Sequence, residues 1–578
     1  MPPSSPLRRR LLHRVPLRVR HYWKLLVTCG VFLVACAVLF STVRVTPLVT
    51  SASDSHADRA TQDITGTTDL FDASVAHRIA LTFRDGGYQR LLDEFWKDGE
   101  KDFLEADLTI DGTPVPSVGI RLKGNSTLAG LTRNGKARAG GFGQGGPAGA
   151  RRAGQRNGDG PAGGFPGGPA AGAPDGNPPG GGFPGGGTPN GGVPGGDAPG
   201  AGFPGGGVPG GAGGFGQASL KAEEPETLPW LIRFDEFVDG RRYQGHREIA
   251  VRVAGMGGGT TVLNEAVSLN LLAAAGQPAQ GYAYTSFTVN DRPTTARLVV
   301  EHPDEGFADT MGGSGVLYKS LATSQFTDQG DDPTSYADDF KQITMKGSQD
   351  LQPVINLIRW VNTSGDADFD RHLADHVDVP AFARYLAAQN LLLNFDDMAG
   401  PGRNYYLWHD LSTKKFTVVG WDYNLTFAGS ATQGPHDSAN MGGRFPQNGG
   451  APPQGFQPPG GMQPPDGFQP PDGMQPRGGD PAGPGGPGGF GGMGGNKLKE
   501  RFLSSAAFKT VYEEAYRDLY RTFYASATAL NTLEGITEVL STAAGYDETK
   551  NGADVEQLRT LIRQRTEHLA TDSIITSS

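Results

Sequence analysis

Residues 394–427 read NFDDMAGPGRNYYLWHDLSTKKFTVVGWDYNLTF. Two carboxylates, Asp396 and Asp397, follow directly on an apolar run of helical character, Tyr385 to Leu393. A Gly-Pro-Gly turn comes next, and Asn404 then leads into an apolar, aromatic strand, Tyr405-Tyr406-Leu407-Trp408. A polar turn from Asp410 to Lys415 returns the chain as a second strand, Phe416 to Gly420, which delivers Asp422. Two strands joined by a short turn bring their far ends together, so Asp396, Asn404 and Asp422 are expected at one mouth. Carboxylate and amide oxygens in a loop-and-hairpin frame suit a hard divalent cation. The same residue types serve phosphoryl transfer, where one Asp takes a hydroxyl proton while an Asn and a second Asp hold magnesium under the phosphates.

Working outward, Val377-Asp378-Val379-Pro380 starts the helix Ala381 to Leu393, with proline in the first turn. Upstream, strands are expected at 77–83, 103–110 and 118–122, the last running into Arg121-Leu122-Lys123-Gly124-Asn125-Ser126-Thr127. A Gly-Asn-Ser turn after a strand bearing two cations can hold phosphate through backbone amides and charge; a solvated strand end reads equally well. Globular pattern returns at Leu228-Pro229-Trp230-Leu231-Ile232-Arg233-Phe234-Asp235 and continues through the strand Glu248 to Val253. Thr260 to Ala275 forms an apolar-striped helix closed by Gly276, with Glu265 beside the stripe. Glu265 is either a surface residue or the helix glutamate that clamps a phosphate-binding lysine. A hairpin is expected across Asp291-Arg292-Pro293, and the strand Gly315 to Lys319 ends on a lysine that faces either nucleotide or solvent, with solvent the preferred reading. Residues 497–569 are periodic helix, with Phe508, Tyr512, Leu519 and Phe523 on one packed face.

The order Asp…Asn-Tyr-Tyr-Leu…Trp-Asp…Phe resembles the CotH-type spore-coat kinases, atypical surface protein kinases that use ATP and a divalent metal. The Arg121-x-Lys123-Gly-Asn-Ser stretch, the 228–235 segment and the Gly315–Lys319 strand are similar to that family as well. The resemblance implies an α+β, atypical protein-kinase-like two-lobed domain. It implies Asp396 as the catalytic-loop carboxylate, with Asp397 as a rival, and Asn404 and Asp422 as ligands of Mg²⁺ or Mn²⁺. Lys123, Arg121 and Glu265 would stand on the nucleotide's phosphate side, and surface or coat proteins would be the acceptors. The gap from Asp396 to Asn404 is longer than in a standard kinase loop, and Asn424 stands where many relatives carry a second Asp.

The 88 glycines and 43 prolines among 578 residues crowd into two tracts, 139–217 and 428–495. With few aliphatic side chains these cannot offset their ordering entropy, and composition assigns them to disorder. They would interrupt one kinase-like domain spanning 70–578, after a polar spacer at 44–69. Residues 1–24 hold seven of the 51 Lys and Arg and none of the 61 Asp and Glu. An uncharged run, 25–43, follows at transmembrane length, and its flanking charge predicts a single-pass cell-membrane anchor with a cytoplasmic N-terminus and an extracytoplasmic domain. The body is acidic, which argues against nucleic-acid binding, since that rests on cations neutralising phosphates. Cys29 and Cys36, the only cysteines, both fall in the apolar run, so the domain has no disulfide and no thiolate metal site. Neither a Gly-x-Ser-x-Gly elbow nor a His-Glu-x-x-His helix occurs. Two readings remain: a membrane-anchored ATP-dependent Ser/Thr kinase, or a kinase-like surface or adhesion scaffold that does not catalyse.

Overall fold

Alternating buried and exposed positions, such as the strict alternation over His77–Thr82, drive the first half of the domain into sheet. The computed structural model describes Phe32 and residues 60–124, 127–138, 220–253, 261–437 and 495–577. In chain order the elements begin with β1 (Gln62–Ile64), β2 (His77–Thr82), helix α1 (Asp85–Asp98), β3 (Leu104–Ile110) and β4 (Thr113–Leu122). The small hairpin β5 (Thr132–Arg133) and β6 (Lys136–Ala137) follows, then β7 (Trp230–Arg233), β8 (Arg241–Tyr243) and β9 (Glu248–Val251). Next come α2 (Leu263–Ala274), the hairpin β10 (Tyr282–Val289) and β11 (Thr295–Glu301), and α3 (Glu305–Thr310). Strands β12 (Gly315–Ser320) and β13 (Phe340–Gln342) precede α4 (Gln352–Thr363), α5 (Asp366–His376) and α6 (Val379–Leu391). The hairpin β14 (Tyr405–Asp410) and β15 (Phe416–Gly420) leads to the tail helices α7 (Lys497–Ser504), α8 (Lys509–Tyr520), α9 (Thr528–Ser541) and α10 (Glu548–Ala570).

Seven strands close a barrel in the order β10-β11-β9-β7-β4-β3-β2. A ring of seven cannot alternate direction throughout, and the exception is the parallel pair of β2 with β10. Ile79, Leu108, Ile120, Ile232 and Phe287 fill the interior at no more than 1% exposure, and α1 adds Tyr88, Leu92 and Phe95 to that core. On β10 and β11 the outward residues Tyr284, Leu298 and Val300 belong to a second, larger core that includes α2, α6 and the tail helices. The second sheet, in the order β13-β12-β14-β15, packs within this larger core. The domain is thus α+β, with one core inside the barrel and one around the helices.

The chain leaves the barrel at Leu122 and re-enters it at Trp230, its direct neighbour in register. Residues 139–219 therefore separate two strands that pair with each other. The ordered body starts earlier than residue 70, because β1 pairs in parallel with β8. Likewise 428–437, which composition places in the second tract, lie against helices: Tyr512 donates to the Pro435 carbonyl at 2.6 Å, and Asn390 donates to the carbonyls of Gly434 and Asp437. Hydrogen bonding to fixed partners substitutes there for the apolar burial the segment lacks. The rest of both tracts, the basic segment and the apolar run 25–43 apart from Phe32 lie outside the described residues. Among those described, no helix is long and apolar enough to cross a membrane.

Candidate active site

Helix α6 sets the first half of the site. Asp378 caps it, accepting from the Ala381 amide at 3.0 Å, with Pro380 in the first turn. Beyond its last turn Asn394 donates to Gln389 Oε1 at 2.7 Å, and its own Oδ1 accepts from the Asp396 amide at 3.1 Å. Asp396 is thereby fixed at the loop's start, 6% exposed.

The Gly-Pro-Gly turn then folds back onto Asp396. A Cβ on Gly400 would sit 2.4 Å from the Asp396 Cα, and one on Gly402 would sit 2.6 Å from Asp396 Oδ2 and 2.7 Å from Asn404 Nδ2. The Gly402 amide donates to Asp396 Oδ1, and Asn404 Nδ2 donates to Asp396 Oδ2 at 2.9 Å. Arg403 fastens the turn from outside, donating to the carbonyls of Ala399 and Gly400 and, through Nε, to Ser324 O at 3.0 Å. The long gap between Asp396 and Asn404 is therefore used up by a return loop that brings the two side chains into contact.

The β14–β15 hairpin sets the second half. Tyr405 pairs with Gly420, and the Trp421 amide donates to the Asn404 carbonyl at 3.2 Å, so Asn404 and Asp422 leave the same end of the hairpin. The turn at the other end is held by Asp410, which accepts from the amides of Ser412 and Thr413 at 2.7 and 2.8 Å. Asp422 itself sits at φ 59°, and Leu393, Arg403 and Phe427 around it also have φ of 50–55°. Left-handed backbone at several residues with side chains is costly and gathers at functional sites.

Asp422 does not stand alone. Arg252, just past β9, binds Glu265 of α2 through two hydrogen bonds of 2.7 and 2.8 Å and also donates to Asp422 Oδ1. Glu265 is 1% exposed and Arg252 6%, so the solvent-facing alternative for Glu265 is excluded. Helix α2 is pinned to the chain beyond Asp422 as well: Asn264 donates to the carbonyls of Asn424 and Thr426 at 2.8 and 3.1 Å. Burial alone would push the Asp422 carboxyl up, but the charges of Arg252 and Lys123 hold it below its ordinary value. For Glu265 burial wins over Arg252, and its carboxyl lies above the usual range.

Lys123 lies above the Trp421 indole at 5.0 Å, with Arg252 at 5.8 Å and Lys319 at 5.6 Å from the same ring. Burial, aided by the Arg252 charge, lowers the Lys123 ammonium to about 7. Lys319, expected in solvent, instead turns over Trp421 because β12 pairs with β14 and the register sets it beside Tyr406. Arg121 stacks on Phe103 at 5.3 Å, one position short of this cluster on the strand's face. Asn125 and Ser126 lie outside the described residues.

Asp396 is pushed up to about 7, first by burial and then by repulsion from Asp422 and Asp397, against the Gly402 hydrogen bond. Asp397, the rival, is taken: Lys499 of α7 donates to its Oδ2, and its Oδ1 accepts from the Ala399 amide at 2.9 Å. That carboxylate is committed to joining the tail to the loop. The structure thus gathers Asp396 with Asn404, and Asp422 with Glu265, Arg252 and Lys123, and it sets Asp397 apart.

A family model described as CotH kinase protein matches residues 215–569. This chain belongs to the CotH kinase family. The matched span holds Asp396, Asn404, Asp422, Glu265 and Arg252, whereas the first three barrel strands and Lys123 of this CotH domain precede it. No curated protein matches the chain.

Sequence reasoning passed over Arg252 and Arg565, and it used Trp421 only as part of the family's residue order. Arg252 is legible in retrospect as a cation ending a strand just before the glycine-rich 255–259 and the helix with Glu265. Arg565, fully buried in α10, donates to the carbonyls of Leu391, Gln433 and Asn390 at 3.1, 2.6 and 3.0 Å. It satisfies the C-terminal carbonyls of the helix that carries the Asp396 loop, and no local pattern announces it.

Proposed function

We propose that this CotH domain is an ATP-dependent protein kinase that transfers the γ-phosphate to Ser or Thr hydroxyls of surface or coat proteins. The observation that carries the reading is the convergence of Asp396 with Asn404 at one end of the hairpin that also presents Asp422. Asn404 spends its Nδ2 on Asp396, which leaves Oδ1 as the acceptor end, and Arg252 contacts Asp422 through Oδ1, which leaves Oδ2 as the other oxygen donor. These two oxygen donors fit Mg²⁺ or Mn²⁺, a hard cation that completes its shell with water and phosphate oxygens rather than with a protein cage. When bound, such a cation supplies charge neutralisation at the phosphates.

The chain's own residues account for the rest. Asp396, fixed by the Gly402 amide and Asn404 and poised near neutrality, accepts the acceptor hydroxyl's proton on a remaining lone pair. Lys123, desolvated beside Trp421, offers positive charge to the phosphate chain. Glu265 holds Arg252, and so fixes the side chain that contacts Asp422. In a standard kinase the helix glutamate holds the lysine directly; here an arginine takes that place and the lysine stands beside it. We place the domain outside the membrane, tethered by residues 25–43, on the basic flank and the apolar run.

A non-catalytic surface scaffold is the second reading, favoured by Arg252 already occupying one oxygen of Asp422 and by Asn424 in the metal loop. Radiolabelled ATP with Mn²⁺ and the full chain decides between them. Transfer to itself or to casein that Asp396→Asn and Asp422→Ala both abolish supports the kinase; no transfer, with no metal-dependent ATP binding by calorimetry, supports the scaffold.

A further inference from the structure

Cations collect where the end of β4 meets the second sheet: Lys123, Arg252 and Lys319 all lie over Trp421, with Asp422 and Glu248 as the nearby carboxylates. The register of β12 with β13 sets Lys319 directly opposite Lys341, and like charges so placed destabilise an antiparallel pair. On its other side Lys319 lies over Tyr406 at 5.5 Å and over Trp421 at 5.6 Å, the indole that Lys123 covers from the barrel at 5.0 Å. Of the two carboxylates that attract Lys319, Glu248 is already bound to His302 at 3.0 Å and shared with Arg233 at 3.8 Å, and Asp422 is bound by Arg252. Arg121, two residues before Lys123 on the same strand face, keeps its Nε buried with no hydrogen-bond partner. Among the described residues no ion pair or hydrogen bond is formed by the ammonium of Lys123, Lys319 or Lys341.

A fold gains nothing from opposing two unpaired lysines and burying an unsatisfied guanidinium nitrogen beside them, since each costs stability. A multiply charged anion stabilises such a cluster directly, beyond the solvation open to the exposed Lys341 and the attraction of Glu248 and Asp422. Its position is set by Trp421, the residue before Asp422, so the anion lies next to the carboxylate at the proposed phosphate end of the cleft.

We infer that Lys319 and Lys341 form a second anion-binding arm on the second sheet, opposite Lys123 and Arg121 of the barrel across Trp421, and that this arm takes a linear polyphosphate, the triphosphate of the nucleotide. The naming of the anion rests on the kinase reading; the arm itself does not. The nucleotide's phosphates are then held from both sides, by Lys123 on the barrel and by Lys319 and Lys341 on the sheet.

Calorimetric titration of the full chain with inorganic tripolyphosphate, without metal, tests the arm, alongside the KM for ATP with Mn²⁺. Lys319→Met is expected to weaken tripolyphosphate at least tenfold, Lys341→Met about threefold, and Lys319→Arg hardly at all, with melting curves confirming the folded state of each. The KM for ATP should rise in the same order, more than kcat falls. Parental tripolyphosphate binding in both methionine variants overturns the inference, as does an absence of binding by the parent. A parent that binds tripolyphosphate through Lys319 yet transfers no phosphate retains the arm and loses the kinase reading. A parent that transfers phosphate while Lys319→Met and Lys341→Met leave its KM unchanged retains the kinase and loses the arm.

Discussion

Removing Arg252 and removing Asp422 should have opposite consequences, and the contrast follows from how the buried charges are shared. Arg252 is the sole ion-pair partner of Glu265 in the described residues, and it also neutralises Asp422. Arg252→Met leaves Glu265, 1% exposed, without its ion-pair partner and facing Asp422, with the more distant Lys123 charge to offset this in part. Uncovering one member of a buried pair costs about 3–5 kcal/mol. Asp422→Ala, by contrast, leaves Arg252 its two-bonded partner Glu265 and removes a carboxylate that repels Glu265. The lost pair and the relieved repulsion nearly offset, so its cost should stay within about 1 kcal/mol. Guanidinium unfolding followed by fluorescence measures both, with unchanged slope certifying a like-for-like comparison. Radiolabelled transfer, run on the same preparations, should be abolished by Asp422→Ala while Arg252→Met retains some activity per folded molecule. Equal stability losses in the two variants, or a parental midpoint for Arg252→Met, would refute the three-charge arrangement.

Gly402→Ala places a methyl against Asp396 Oδ2 and Asn404 Nδ2; kcat should fall about a hundredfold, as for a misplacement of about 1 Å, with little change in the melt. Asp396 must be ionised to take a proton, so transfer should rise with pH through a limb near or below 7, a bound cation favouring the charged form; the limb should vanish in Asp396→Asn, as pH–rate profiles would show. The same group works against stability as pH rises: its folded value of about 7 exceeds the ordinary 3.8, so the folded state holds the proton more tightly. Its contribution is therefore present at low pH and lost between about 4 and 7, with an upper bound of about 4 kcal/mol, and urea midpoints of Asp396→Asn should lack that slope. Lys499→Met strips Asp397, whose side chain is 4% exposed, of its ammonium; since the lysine is partly solvated the loss should be about 1–3 kcal/mol, with transfer per folded molecule retained.

The local chemistry of the site was readable because it is written in neighbours. Asp378-Val379-Pro380 announces a helix start, and Asn404 and Asp422 bracket a hairpin whose turn carries its own Asp410 cap. What escaped depends on register and on distant closure. Lys319 reads as a strand end in solvent until β14 is known to lie beside it. The barrel escaped because its closing contact, β2 with β10, joins residues some two hundred positions apart and runs parallel in an otherwise antiparallel ring. Arg252 escaped for the same reason, since its partners come from a helix after it and a hairpin far beyond. Residues 428–437 were misjudged because composition counts apolar atoms, whereas this segment is held by hydrogen bonds from Tyr512, Asn390 and Arg565.

The Asp396 loop is held by cations that come from outside it in sequence and from the far side of the second tract. Lys499 of α7 fixes Asp397, one residue from Asp396, and Arg565 of α10 ties the last carbonyls of α6 to Gln433. Arg403 closes the return turn onto Ser324 of the β12 side. The helical tail is therefore part of the site's frame rather than an appendage, although none of its residues is placed against the phosphates. The two pieces of chain on either side of the tract between 437 and 495 meet at Tyr512 and Pro435. A charge change at Lys499 or Arg565 therefore acts first on how firmly this frame is held, and so on stability.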